Sequence, residues 1–202
     1  MQYLITLQIW LVLFWCSLPD RDARNEAARE VTVVIENGSY LKINGYTNVN
    51  SFSCSYQGEI GRNTLTLRLP PRREGLALQH YELSIEVDRF DCGNQMMNKD
   101  FRNLLEYEQH PQLKLNILSL QSTGPENPSC EALAKVQFTI AGTSETYEVP
   151  VNILEGTEPT AYCGEKALDI TDFDLTPPRK FLGMVVVDKE VSIDFRINLR
   201  LL

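Results

Sequence analysis

Apolar and polar residues alternate one by one along most of the chain. The longest run is at the C-terminus, where Val191, Ile193 and Phe195 alternate with Ser192 and Asp194. Because successive side chains of a strand point to opposite faces of a sheet, this period gathers the apolar side chains on one face. The pattern predicts an all-β chain, either a barrel or a sandwich. The strand candidates are residues 31–35, 40–43, 51–56, 64–69, 81–88, 135–140, 147–153 and 191–201.

Two local signals refine this prediction. Asn37-Gly38 separates the first two strand candidates. An Asn-Gly pair between strands is a strong hairpin signal because both residues accept positive φ, so we predict a hairpin there. Pro150 has no N–H to donate, and we expect it at a bulge or an unpaired position.

One segment has a helical period instead. Met97, Phe101 and Leu104 fall at i, i+4 and i+7, which places them on one face of a helix. Asn94 is suited to cap the first turn, and Pro111 lies beyond the last. We therefore predict one helix within residues 94–107.

The first residues of the chain are strongly apolar. From Leu4 to Trp15 only Thr6 and Gln8 are polar. As a helix this run would be about 18 Å long, shorter than the ~30 Å core of a bilayer and typical of a signal peptide. We expect export, with an uncleaved interfacial anchor as the alternative. The residues before Cys16 have the outline of a lipoprotein signal, but Trp15 directly before the cysteine disfavours lipid attachment there.

The composition limits the functions that the chain can carry. Lys and Arg number 19 against 27 Asp and Glu, for a net charge of −8. A chain this acidic, without a basic stripe, repels phosphate backbones, so nucleic acid is not an expected partner. The histidines are His80 and His110, and no Cys-x-x-Cys pair occurs. We therefore expect no catalytic residues, no metal and no cofactor.

The cysteines fit an exported chain. Cys16 lies in the predicted leader, which leaves Cys54, Cys92, Cys130 and Cys163. Four cysteines allow three sets of two disulfides. We favour Cys54–Cys92, which would staple the predicted helix to a strand, together with Cys130–Cys163, at strands that flank one hairpin. Buried free thiols are the alternative.

Several ordered segments resemble the YceI-like family of barrels from bacterial envelopes. Residues 87–101, VDRFDCGNQMMNKDF, resemble the strand, Asp-x-Gly turn and helix that close the family's barrel. Residues 106–111 resemble its entry to the next strand, residues 138–151 its hairpin, and residues 172–175 the start of its closing strands. The resemblance covers residues 40–202. The chain departs from the family in its body cysteines and in lacking the histidine that members often carry in the helix.

The resemblance implies an extended antiparallel β-barrel of about eight strands, lipocalin-like, closed by one helix between strands. It also implies that the barrel holds a polyisoprenoid or another long-chain amphiphile in the periplasm, without catalysis. On this basis residues 1–19 are a predicted signal peptide or N-terminal anchor, residues 20–30 a short linker and residues 31–202 the YceI-like domain.

The lumen of such a barrel would be lined by the apolar side chains on the inner face of the strands and the helix. The expected partner is a long-chain lipid or isoprenoid, and a homodimer stays open. A filled barrel that serves as an interaction or structural module of the envelope is the alternative function. The predicted lining residues are Phe52, Tyr56, Leu67, Leu83, Ile85, Val87, Phe90, Met97, Phe101, Leu115, Ile117, Phe138, Ile140, Tyr147, Val149, Phe181, Ile193 and Phe195.

Overall fold

The computed structural model describes residues 29–60, 64–69, 81–123, 131–154, 159–180 and 184–202, without the side chains of residues 29, 30, 64–69, 81 and 180. The predicted leader lies outside these ranges, and the first strand, which begins at Arg29, includes the last two residues of the predicted linker. The strands are β1 (Arg29–Ile35), β2 (Tyr40–Thr47), β3 (Ser51–Tyr56), β4 (Thr64–Leu69), β5 (Tyr81–Glu86), β6 (Phe90–Asp91), β7 (Gln112–Ser122), β8 (Ala132–Ile140), β9 (Thr143–Leu154), β10 (Thr160–Asp169), β11 (Arg179–Lys180) and β12 (Val185–Leu201). The helix is α1 (Gln95–Leu104), and 3₁₀ turns occupy Val87–Arg89 and Ile170–Phe173.

Nine of these strands form one antiparallel wall in the order β5-β7-β8-β9-β10-β12-β2-β3-β6. The wall curves into a nearly closed barrel with one unsealed seam, and β5 and β6 are the ends of this order. The predicted antiparallel barrel with one helix is confirmed, with nine strands where about eight were expected. Three strands of this wall, β6, β7 and β10, are absent from the strand candidates, and β6, with only two residues, is too short to show any alternation.

The predicted Asn37-Gly38 hairpin is wrong. β1 and β2 do not pair with each other but lie one after the other along the same edge of β12, opposite residues 199–201 and 187–196. The link between them is held to Asn198, whose carbonyl accepts from the N–H of Glu36 at 2.8 Å and whose side chain donates to the carbonyl of Asn37 at 3.0 Å. The 17-residue β12 offers an edge long enough for both strands, so the Asn-Gly turn interrupts one line of pairing instead of reversing the chain.

The ladder between β9 and β10 is short. β9 pairs with β8 from Thr143 to Val151 but with β10 only from Asn152 to Leu154. Pro150 lies just past the end of this ladder, with its carbonyl turned towards Gly164 of β10. Its missing N–H therefore falls where β9 and β10 are no longer paired, as its chemistry predicts.

The helix lies where the period predicted it. The side chain of Asn94 accepts from the N–H of Met97 at 2.9 Å and so caps the first turn. The disulfide between Cys54 and Cys92 joins β3 to the segment that leads into α1, which confirms this predicted pairing. No helix in the described ranges is long and apolar enough to cross a membrane.

The second predicted disulfide is wrong. Cys163 is a free thiol whose Sγ lies 3.7 Å from the carbonyl oxygen of Asn152, and Cys130 lies outside the described residues. Cys163 is on β10 opposite β9, so a whole strand separates it from β8, which follows Cys130 in the sequence. Two strand spacings are about 9.6 Å, so a disulfide from Cys163 does not reach a residue of β8.

We expect the Cys54→Ala/Cys92→Ala double variant to lose about 2–4 kcal/mol of unfolding free energy, because the bond closes a loop with a sequence separation of 38 residues. Urea unfolding without reductant measures the loss. Cys163→Ser is the matched control and should unfold as the wild type does. Equal stability of all three proteins would contradict the pairing.

Asp169 gives a second prediction, because it caps the 3₁₀ turn that follows β10 and pairs with Lys189 of β12 at 2.6 Å. The hydrogen bonds from Lys189 and then Thr171 lower the pKa of Asp169 from 3.8 to about 2. A carboxyl whose pKa is lower in the folded state stabilises the fold above its unfolded pKa and loses this effect as the pH falls through its folded pKa. Asp169→Asn should therefore be less stable than the wild type at neutral pH, with the difference shrinking between pH 3.8 and about 2. A difference that stays constant across this range in urea unfolding would contradict the assignment.

Candidate functional site

The interior of the barrel is open. A cavity of about 330 Å³ lies inside the wall, and a smaller one of about 90 Å³ lies next to it. Five residues line both cavities and form the boundary between them: Leu41, Ile85, Leu115, Phe138 and Ile193. The larger cavity is lined by Val31, Val33, Ile35, Leu41, Ile60, Leu83, Ile85, Leu115, Ile117, Leu120, Ala134, Val136, Phe138, Val149, Val151, Thr160, Tyr162, Lys166, Ile193, Phe195, Ile197, Leu199 and Leu201.

Strand pairing explains why this lining is apolar. Directly opposite residues of neighbouring strands share one face of a sheet. Phe195 of β12 lies opposite Leu41 of β2 on one side and Gly164 of β10 on the other, so all three face the interior. A Cβ at Gly164 would come within 3.0 Å of the Phe195 ring, so glycine leaves the space that the ring occupies.

The helix closes the end of the barrel that holds the smaller cavity. Phe101 and Leu104 of α1 line this cavity together with Phe52 of β3 and Phe173 of the 3₁₀ turn. Cys54, two residues from Phe52, is bonded to Cys92 just before the helix. The disulfide thus fixes this closing element to the wall.

Most of the predicted lining residues reach a cavity. Those that line the larger cavity are Leu83, Ile85, Leu115, Ile117, Phe138, Val149, Ile193 and Phe195. Those that line only the smaller cavity are Phe52, Phe101 and Ile140. The side chain of Leu67 and the whole of Phe181 lie outside the described residues.

Five predicted lining residues line neither cavity: Tyr56, Val87, Phe90, Met97 and Tyr147. The first four are near the start of the helix. Phe90 is buried between Tyr56 and Phe101, with ring centroids 5.2 Å from each, so it packs beside the cavities and not around them. Val87 is fully buried in a 3₁₀ turn, where the alternation of a strand no longer holds. Met97 is half-buried and packs against the core from the helix.

Tyr147 is the fifth predicted lining residue that lines neither cavity. Its ring packs against Phe138 and Phe173, with centroids 5.8 and 6.2 Å away. Its hydroxyl donates to the carboxylate of Asp172. Burial and then this hydrogen bond raise the pKa of Tyr147 well above its ordinary value, so the phenol stays a donor.

Sequence reasoning missed several lining residues, and two groups of them differ in the signal that the sequence carried. The first group shares the parity of residues that were predicted: Val151 follows Val149 at a distance of two, and Ile197, Leu199 and Leu201 continue the alternation of β12. This signal was present in the sequence.

The second group lies on β10 and had no such signal. Its inward positions are Thr160, Tyr162, Gly164 and Lys166, which form no apolar series. Only the pairing of β10 with β12 shows that these residues face the cavity. No group of three or more His, Cys, Asp or Glu side chains that could hold a metal occurs in the part of the chain that the structure describes.

Comparisons with known proteins match this architecture. A model of the YceI-like domain matches residues 27–199. The structure of BcnA from Burkholderia cenocepacia is similar with a TM-score of 0.61 and 18% identity, covering 80% of this chain and 96% of BcnA. The structure of a polyisoprenoid binding domain from Saccharophagus degradans, implicated in plant cell wall breakdown, has a TM-score of 0.58 and 10% identity, covering 85% of this chain and 99% of that domain. No curated protein sequence matches the chain.

Ala132 and Ala134 of β8 provide a matched test of the cavity. Both are buried, but Ala134 lines the larger cavity and Ala132 lines neither. We expect Ala132→Leu to lower the free energy of unfolding of delipidated protein by about 1–3 kcal/mol through overpacking. Ala134→Leu should cost little, because its added carbons enter open space. Equal losses in urea unfolding would contradict the cavity.

Proposed function

The chain belongs to the YceI-like domain family, and we propose that it binds one long-chain lipid, such as a polyisoprenoid, inside the barrel. The observation that carries the proposal is the cavity of about 330 Å³ with an almost wholly apolar lining. A volume of this size falls at the lower end of the range for small-molecule sites. The similar domain from Saccharophagus degradans is described as polyisoprenoid binding, which supports the same ligand class here.

The hydrophobic effect supplies the affinity in this proposal. Each methylene that leaves water contributes roughly 0.8 kcal/mol. A tail with about ten buried methylenes would thus gain about 8 kcal/mol, the scale of micromolar affinity before the entropy cost of association. The smaller cavity beyond the boundary residues offers further apolar space for a longer tail.

The open interior disfavours the alternative of a filled barrel. A barrel that acts only as an interaction or structural module gains nothing from empty volume, since unfilled apolar space costs stability. The inward residues Val136, Phe138, Val149 and Val151 surround the cavity and leave it open.

We propose further that the protein is not an enzyme and that it acts in the periplasm after export. The family match supports the first statement, because a carrier of lipid needs shape and apolar surface and no reacting group. The apolar run at the N-terminus supports the second. Fractionation of cells that express the full chain tests the location, and recovery in the cytoplasm would contradict it.

The most direct test is organic extraction of protein purified from cells, followed by mass spectrometry, with farnesol binding to delipidated protein as a second measurement. We expect a co-purified long-chain lipid and measurable farnesol binding. Ala134→Leu should weaken farnesol binding tenfold or more, because it removes space for about two to three methylenes.

Ala167→Leu is the control for this test, because Ala167 is exposed on β10 and points away from the cavity. It should bind farnesol as the wild type does. Absence of any extracted lipid, together with no binding of farnesol, would overturn the proposal.

A further inference from the structure

One side chain in the wall of the larger cavity carries a charge among the residues that the structure describes. Lys166 of β10 lies opposite Ile193 of β12, an inward position, and it lines the cavity beside aliphatic residues. Its Nζ lies 5.5 Å from the centroid of the Tyr147 ring. The stem of Lys166 thus forms part of the apolar wall, and the ammonium rests on the face of an aromatic ring.

The carboxylates whose charge acts on Tyr147, the ring beside this ammonium, are Asp172, Glu145 and Asp169. Asp172 accepts from Tyr147, Asp169 pairs with Lys189, and Glu145 is exposed. Within the described ranges, none of these acids forms an ion pair with Lys166. A cation at an apolar cavity without an anionic partner is costly, and an anion that arrives with a ligand would relieve this cost.

The backbone ladder between β9 and β10 is absent at the same place. Lys166 and Tyr147 both lie in the stretch of β10 and β9 that is not paired, beyond the last rung at Asn152 and Cys163. A polar headgroup placed there would meet the ammonium while its apolar tail extends into the cavity. The other polar side chains in the described lining, Thr160 and Tyr162, are on the same strand as Lys166.

We propose that Lys166 selects amphiphiles with an anionic headgroup, a carboxylate or a phosphate, and holds this group between β9 and β10. The inference rests on the proposed lipid binding and adds the headgroup class and the orientation of the ligand. An ammonium donates charge-assisted hydrogen bonds to either anion, and neither tail length nor tail branching changes that contact. The net charge of −8 by itself disfavours an anionic ligand. The selectivity therefore depends on the positive charge of Lys166 at the binding site.

The test compares three ligands with the same tail: dodecanoate, dodecyl phosphate and dodecanol. Their binding to the delipidated full chain is measured by calorimetry at neutral pH and below micelle-forming concentrations. We expect both anions to bind about tenfold or more tightly than the alcohol, the scale of one charge-assisted hydrogen bond.

Lys166→Met removes the ammonium and keeps an apolar stem. It should reduce binding of the anions to the level of dodecanol and leave dodecanol binding unchanged. Lys42→Met is the matched control, because Lys42 also lies over a tyrosine ring, 5.1 Å from the centroid of Tyr40, but is exposed on the outside of the wall. It should leave the binding of all three ligands unchanged.

The outcomes separate the two proposals. Preference for one anion only, lost in Lys166→Met, supports the inference and identifies the headgroup as a carboxylate or a phosphate. Equal binding of all three ligands to the wild type overturns the headgroup inference and leaves lipid binding intact. An anion preference that survives in Lys166→Met also overturns it. If none of the three ligands binds, the proposed function is overturned together with the inference. The comparison of the three ligands on the wild type tests the inference even if Lys166→Met does not fold.

Discussion

The backbone pairing of β12 is the constraint on which the barrel depends. Its 17 residues pair with β10 on one edge and with β2 and then β1 on the other. Buried N–H and C=O groups need partners, and a slip of one residue would turn every apolar side chain outward. The register therefore decides which residues surround the cavity. Ile43 of β2 and Lys166 of β10 both lie opposite Ile193, so all three side chains share the inner face.

The closed end of the barrel depends on a different interaction. The wall offers no ladder that could hold α1, so covalent and side-chain contacts position the helix. The disulfide ties Cys92 to β3, the side chain of Asn98 accepts from the N–H of Cys92 at 2.6 Å, and Asn94 caps the first turn. The apolar face of the helix can then cover the smaller cavity.

The part of the wall between β9 and β10 is built with less backbone pairing. Pro150 cannot donate to β10, and the ladder ends two residues away at Asn152. The 3₁₀ turn after β10 approaches β9 here, where Tyr147 packs on Phe173 and donates to Asp172. Side-chain packing thus replaces the ladder between this part of β9 and β10. Polar groups such as the Tyr147 hydroxyl are found here, whereas the strands with long ladders present apolar side chains to the cavity.

Local rules of the sequence were sufficient for eight of the twelve described strands, for the helix and for much of the lining, while β6, β7, β10 and β11 were not among the strand candidates. Alternation identified inward residues such as Ile85, Phe138 and Phe195, because the period of two is a property of each strand by itself. The Cys54–Cys92 bond also followed, since it joins two segments that the barrel had to bring together. Where strands have no apolar series, or where a turn residue can serve more than one purpose, local rules were not sufficient.

The Asn37-Gly38 turn, the free thiol of Cys163 and the inward position of Lys166 were decided by the tertiary structure. The first depends on the length of the β12 edge, the second on the strand that separates β10 from β8, and the third on the register of β10 against β12. Each is a relation between segments far apart in the chain. The side chains of one segment do not by themselves determine which strand lies beside it or at which residue the pairing begins.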